Sequence, residues 1–241
     1  MRDGEARRGS TRRSEFAAGA VLVAPLVVSV LPFGLLLGTL AAQRGLSPLE
    51  TFLMSASVFA GSAQFAVLGQ WSPPVAIAAV GATALLVNLR HVLMAAALAP
   101  ALGAWPRPGA YGAMFFLADE VWALALRRAA RDCLSPAFYL GLALPMWTAW
   151  VASTTLGNGV GAAIEDPARY GLDFAFTAVF LVLLVGLWRG PRSLAPWVAS
   201  ALAAVAAEQW LPGAWYILAG ALAGCATAAL AGAGADDADA R

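Results

Sequence analysis

The sequence predicts an all-α fold: a polytopic helical membrane protein with about eight membrane segments and both termini cytoplasmic. Three observations carry this. The 241 residues are 61% hydrophobic and 12% charged, roughly half the charge of a soluble domain. Apolar stretches of about 18 residues or more, long enough to cross a bilayer as a helix, recur along the whole chain. The arginines are unevenly shared among the links between those stretches. A single transporter domain, 16–231, fills the chain between a basic cytoplasmic tail, 1–15, and an acidic, disordered tail, 232–241.

In chain order the apolar segments cover 16–42, 50–70, 75–101, 109–126, 136–156, 172–188, 194–210 and 212–231. The first follows Thr11-Arg12-Arg13-Ser14-Glu15-Phe16, which loosely resembles a twin-arginine export signal. Its apolar run is too long for one, holds Pro25 and Pro32, and precedes many further spans, so it reads as a membrane helix. The second contains Ser55-Ala56-Ser57-Val58-Phe59-Ala60-Gly61-Ser62-Ala63-Gln64-Phe65. Such small and polar residues either break a helix and expose backbone groups or permit tight packing. It joins the third through the short link Trp71-Ser72-Pro73-Pro74. The two segments therefore either cross or are both broken and re-entrant, and six crossings give the same charge balance as eight.

The third segment carries Arg90 in Leu86-Val87-Asn88-Leu89-Arg90-His91, and Asp119 and Glu120 interrupt the fourth. Gly157-Asn158-Gly159-Val160-Gly161, after the fifth, reads as an external loop; no strand precedes it, so it is no dinucleotide-binding turn. The seventh, at about 17 residues, is marginal. Gly34-x-x-x-Gly38 and Gly220-x-x-x-Gly224 read as close helix contacts. Trp71, Trp105, Trp188, Trp197, Trp210 and Trp215 fall near segment ends, where indoles favour the headgroup level.

Orientation follows from the arginines, which are the only basic residues besides His91. Eight crossings from a cytoplasmic N-terminus put eleven of them inside and only Arg44, Arg107 and Arg169 outside. Without lysine there is no Walker-type phosphate site. Two cysteines, Cys133 in a charged loop and Cys225 in the last segment, cannot build a structural zinc site with one histidine. No cofactor, metal, nucleic-acid partner or enzymatic activity is expected.

The chemistry centres on Arg90. A cation at mid-membrane costs about 2.5–3.5 kcal/mol on insertion scales and persists only when paired, commonly on a substrate or ion path. Arg90 lies 11 residues before Ala101, and Asp119 lies 10 after Gly109. On neighbouring antiparallel segments both sit roughly 15–16 Å from the link near Trp105. The spacing predicts an ion pair between Arg90 and one of the two acids, leaving one carboxylate over as a proton carrier. A purely fold-stabilising pair is the bland alternative. His91 reads either as a proton relay or as a packed, hydrogen-bonded side chain. Asn88 shares its helical face, so either Asn88 and His91 line a cavity while Arg90 meets its acid, or the reverse.

Several strings resemble the AzlC family: Gly45-Leu46-Ser47-Pro48-Leu49-Glu50, Phe59-Ala60-Gly61-Ser62-Ala63-Gln64-Phe65, Val87-Asn88-Leu89-Arg90-His91, Asp119-Glu120 and Gly171-Leu172-Asp173-Phe174-Ala175. In order and spacing they cover nearly all of 16–231. One departure is Val92-Leu93-Met94 after His91, where an aromatic often stands. The resemblance implies the large subunit of a bacterial branched-chain amino-acid exporter of the inner membrane. Its substrates would be leucine, isoleucine, valine, analogues and in some members methionine, and its partner a small AzlD-type membrane subunit.

A zwitterionic substrate needs a group for its carboxylate, one for its ammonium, and apolar walls for its side chain. Arg90 or the Gly61-Ser62 backbone is expected to take the carboxylate, and Asp119 or Glu120 the ammonium or a coupling proton. Gln64 and Asn88 are candidate orienting donors. Three rivals differ: an uptake permease, a scaffold or sensor subunit without transport, and an intramembrane serine protease using Ser62 and His91.

Overall fold

The computed structural model describes the backbone of residues 2–72, 74–103, 105–164, 169, 171, 174, 178, 181, 185, 190–191, 194–210 and 215–239, with side chains between 12 and 230. The sixth apolar segment and the Gly171–Ala175 string fall largely outside these residues. Among the described residues every regular element is helical: α1 (Arg2–Gln43), α2 (Pro48–Ser57), α3 (Gly61–Gly69), α4 (Ile77–Leu102), α5 (Arg107–Phe115), α6 (Asp119–Ala129), α7 (Pro136–Gly161), α8 (Leu194–Trp210) and α9 (Trp215–Asp239). Of these, Arg12–Gln43 and Ile77–Leu102 are both long and apolar enough to cross a membrane. Helices α1 and α9 take in the terminal stretches read from sequence as tails.

The residues divide into two compact units: 1–69 with 87–173, and 70–86 with 174–241. In the second, Gly220 and Gly224 of α9 sit against Ser200 of α8, with Ala204 beside Gly220 and Pro196 beside Gly224, so the two helices run antiparallel. The start of α4 belongs here too, where Gln70 Nε2 donates to Thr83 Oγ1 at 3.0 Å.

The first unit is built on α1 and α7. Small residues let their backbones meet: Gly141 faces Phe16, Gly157 faces Leu35, and Gly161 faces Thr39, which makes the helices parallel. Gly34 and Gly38 complete the seam from the α1 side, against Ser153, Thr154 and Asn158. Thr39 Oγ1 donates across it to the Gly157 carbonyl at 3.1 Å. The stretch Gly157–Gly161 is thus the last turn of α7 and not an external loop. Its glycines at four-residue spacing are a packing stripe, and Asn158 between them is fully buried.

Two helical hairpins fill the space between the long helices. The first is α2–α3. Its descent starts where α1 ends in a glycine cap: Gly45 takes φ +84° and Leu46 N donates back to Ala41 O at 3.0 Å. Ser47 and Glu50 then form a reciprocal capping box around Pro48. Asn158 Nδ2 pins this entry, donating to Leu46 O at 2.9 Å and Thr51 Oγ1 at 2.8 Å. The helix stops at Val58, and Gly61 starts α3. Gln64 Nε2 then donates to Ser55 Oγ at 3.2 Å, a contact between arms on either side of the break. The chain has folded back.

The second hairpin, α5–α6, enters from the opposite end of α7. Trp105 Nε1, just before α5, donates to Leu134 O, just after α6, at 3.0 Å. The Trp105 ring meets Tyr139 at 5.9 Å, and Tyr139 Oη donates to Ala113 O at 2.8 Å. Both arms therefore end beside the N-terminus of α7. A single traverse of the apolar run would have separated these ends by tens of ångströms. The fourth apolar segment is accordingly not one span; it turns at Phe116-Leu117-Ala118. The third, read as crossing or re-entrant, is the continuous helix α4. At the base of the second hairpin Arg128 Nη2 pairs with Glu15 at 3.2 Å and with Asp132 at 3.1 Å, and its guanidinium lies 4.8 Å from the Phe138 ring centroid.

The seam leaves no room for a side chain at Gly38, where an added Cβ would lie 2.6 Å from Asn158 N, whereas around Gly159 the described residues leave 4 Å open. Gly38→Val is expected to destabilise the purified protein by about 1–3 kcal/mol or to prevent its accumulation, and Gly159→Ala to stay within about 1 kcal/mol of wild type. Thermal unfolding of both variants in detergent checks this.

Candidate functional site

The two hairpin tips and the middle of α4 converge. Arg90 on α4 reaches Asp119 Oδ2 through Nη1 at 2.8 Å and Ser62 Oγ through Nη2 at 2.7 Å. Asp119 is the first residue of α6 and Ser62 the second of α3, so the guanidinium ties together the returning arms of both hairpins. The expected ion pair is present. Both residues are counted from the same link at Trp105, which lies beside Leu134.

The pair is half open, with 38% of the Arg90 side chain and 51% of the Asp119 side chain accessible. Screened, open pairs add little stability, so its position at two backbone breaks is the more informative fact. At both breaks the first turn of a helix presents backbone N–H groups without an intrahelical acceptor. Ala118, which precedes α6, supplies no side-chain cap.

The remaining sequence candidates separate. Gln64 is buried and engaged within the protein: besides Ser55, its Oε1 accepts from Trp150 Nε1 at 2.8 Å. It is a brace for the first hairpin. Gly61 lies under the same indole, where an added Cβ would come 2.9 Å from Trp150 Cη2, so a larger residue would have to displace the ring. Glu120, beside Asp119, has no ion pair among the described residues. Asn88 Oδ1 and His91 Nδ1 are buried without a partner among the described residues while Arg90 turns to its acid. Ser62 Oγ is bonded to Arg90, and no Ser62–His91 bond of a protease dyad is found among the described residues.

Sequence reasoning missed three tryptophans around these tips. Trp147 Nε1 donates to Ala56 O in the first hairpin at 3.4 Å while its ring meets Phe116 of the second at 5.8 Å. Trp150 braces Gln64. Trp122 lies one turn into α6, with a buried Nε1 that has no partner among the described residues. None sits at a segment end, the one signal that singled out indoles.

The family model described as AzlC protein matches residues 25–164, from just past the middle of α1 to just past the end of α7. The chain belongs to the AzlC family. The matched region contains both hairpins, Arg90 and Asp119; the Gly171–Ala175 string lies beyond it. A membrane protein of Archaeoglobus fulgidus is 32% identical over 183 residues, 75% of this chain and 79% of that one. The inner membrane protein YgaZ of Escherichia coli is 30% identical over 210 residues, 85% of each chain. The branched-chain amino acid transport protein AzlC of Bacillus subtilis is 24% identical over 169 residues, 68% of this chain and 64% of that one. No solved structure matches. These AzlC relatives place the chain in a transport-associated family of membrane proteins.

If Arg90 and Asp119 act as one unit, Arg90→Gln and Asp119→Asn should each lower the thermal midpoint of the purified protein. The double variant should lose less than the two losses combined, by up to about 1 kcal/mol. Additive losses would show that the pair is not coupled.

Proposed function

We propose that this AzlC-family protein is a secondary transporter that exports branched-chain and similar apolar amino acids across the bacterial inner membrane. The single observation that carries the reading is the Arg90–Asp119–Ser62 junction between two broken hairpins. Polar groups and open backbone at membrane depth are tolerated where they line a path for a polar solute. A zwitterion fits this junction: Arg90 takes the carboxylate, and Asp119, released from Arg90, or Glu120 takes the ammonium. Glu120 is also the candidate for a coupling proton. The name of the Bacillus subtilis relative supports the substrate class.

The proposed topology follows from the hairpins. Helices α1, α4 and α7 cross, α2–α3 and α5–α6 enter from opposite faces, and the last three apolar segments are counted as spans from their sequence. Six crossings keep both termini cytoplasmic. They also move Arg107 to the cytoplasmic face, leaving only Arg44 and Arg169 outside, a stronger bias than eight crossings give. A small AzlD-type subunit completes the exporter.

Cells expressing the chain with such a subunit and loaded with radiolabelled leucine should lose the label faster than cells without it, and Arg90→Gln should cut the rate at least tenfold. Faster uptake without faster efflux would reverse the direction. Unchanged flux in both directions would make the chain a scaffold.

A further inference from the structure

We propose that Trp122 is a substrate-binding residue, its indole N–H receiving the carboxylate of the transported amino acid beside the Nε–H of Arg90. This rests on the amino-acid transport reading above and adds to it a group that neither the motifs nor the relatives single out. The starting point is a contrast among the tryptophans of the first unit. Trp105, Trp147 and Trp150 all donate their indole N–H, to Leu134 O, Ala56 O and Gln64 Oε1. The Nε1 of Trp122 is buried and has no acceptor among the described residues. An indole N–H can only donate, and a buried one ordinarily finds a partner.

Its position gives the unmet donor a meaning. Trp122 follows Asp119 by three residues and so shares its face of α6. Long side chains on a helix lean toward the N-terminus, which brings the indole toward the level of the Asp119–Arg90 pair. Trp122 packs against the core cluster of the first unit, whose fourteen residues include Met94 and Leu98. These two follow Arg90 by four and eight positions and extend its stripe along α4. The Arg90–Asp119 pair, 2.8 Å across, joins this face of α6 to α4.

Arg90 supplies the second donor. Its two terminal nitrogens are engaged by Asp119 and Ser62, while Nε is buried with no partner among the described residues. Two N–H groups on adjacent helices, both without acceptors, suit the two oxygens of a carboxylate, which only accept. The neighbouring Asp119 carboxylate gives the site the opposite sign needed for an ammonium group. Together these select an α-amino acid over an amine or a simple carboxylic acid.

The test is equilibrium binding of radiolabelled leucine to the purified full-length chain, with leucine and leucinamide as competitors. Leucinamide keeps the ammonium and the side chain but lacks the carboxylate. Trp122→Phe should weaken leucine about tenfold, the scale of one hydrogen bond to a charged group, and change leucinamide less than twofold. Benzothienylalanine at position 122, which keeps the ring shape and replaces N–H with sulfur, should do the same without disturbing the fold. Unchanged leucine affinity in both variants, or equal weakening of both ligands, overturns the role of Trp122. If Arg90→Gln still abolishes leucine binding in that case, the transport reading survives without it. Leucine binding that is absent in wild type or untouched by Arg90→Gln would sink that reading and the Trp122 proposal with it.

Discussion

The guanidinium of Arg90 is the constraint on which the rest of the first unit depends. A permanent positive charge on a helix as apolar as α4 has to be met at its own depth. A regular neighbouring helix can offer side chains there but has no free backbone donors or acceptors. The chain meets the charge with two helices that stop and restart: α3 brings Ser62 and α6 brings Asp119, each within the first two residues of its returning arm. Breaking a helix inside a membrane leaves backbone groups that lipid cannot satisfy. Folding back as hairpins brings both breaks together around the charge.

The long helices make this possible. Glycines along the α1–α7 seam bring two parallel backbones together and turn α7 into a rigid post. From that post aromatic residues reach out to hold the hairpins. Trp150 braces Gln64 in the first, Tyr139 holds the Ala113 carbonyl in the second, and Trp147 touches both tips. The hairpins are fastened differently at their open ends. The entry to the first is sealed by the buried amide of Asn158 on Leu46 and Thr51, whereas the base of the second is held by the partly exposed Arg128–Glu15 pair.

Much of this was legible in the residues. An arginine in an apolar run demanded a partner, and counting residues from the Trp105 link found Asp119 at matching depth. Small and polar residues between Ser55 and Gln64 left a break or tight packing open, and the chain breaks there between α2 and α3. The hairpin at Phe116-Leu117-Ala118 was not legible, because no glycine or proline marks it and Asp119-Glu120 read as charges within one continuous segment. It appears only through tertiary contacts such as Trp105 with Leu134, which join chain ends about 30 residues apart. Gly157–Gly161 misled for a related reason: glycine spaced by four is a packing stripe or a loop, and only the presence of α1 against it decides. Gln64 looked like a ligand donor because a polar side chain in an apolar segment needs partners, and sequence could not show that Ser55 and Trp150 already supply them.

The most direct test of the opposed hairpins is the sidedness of single cysteines. With Cys133 and Cys225 replaced by serine, cysteine is introduced one at a time at Leu49, Gly69, Arg107 and Ala130, the open ends of the two hairpins, and labelled in intact cells with a membrane-impermeant thiol reagent. The account predicts that Leu49→Cys and Gly69→Cys label from outside, while Arg107→Cys and Ala130→Cys label only after the membrane is opened. Labelling that splits either pair, one end outside and the other inside, would mean that its segment crosses the bilayer, and the junction at Arg90 could not be built as described.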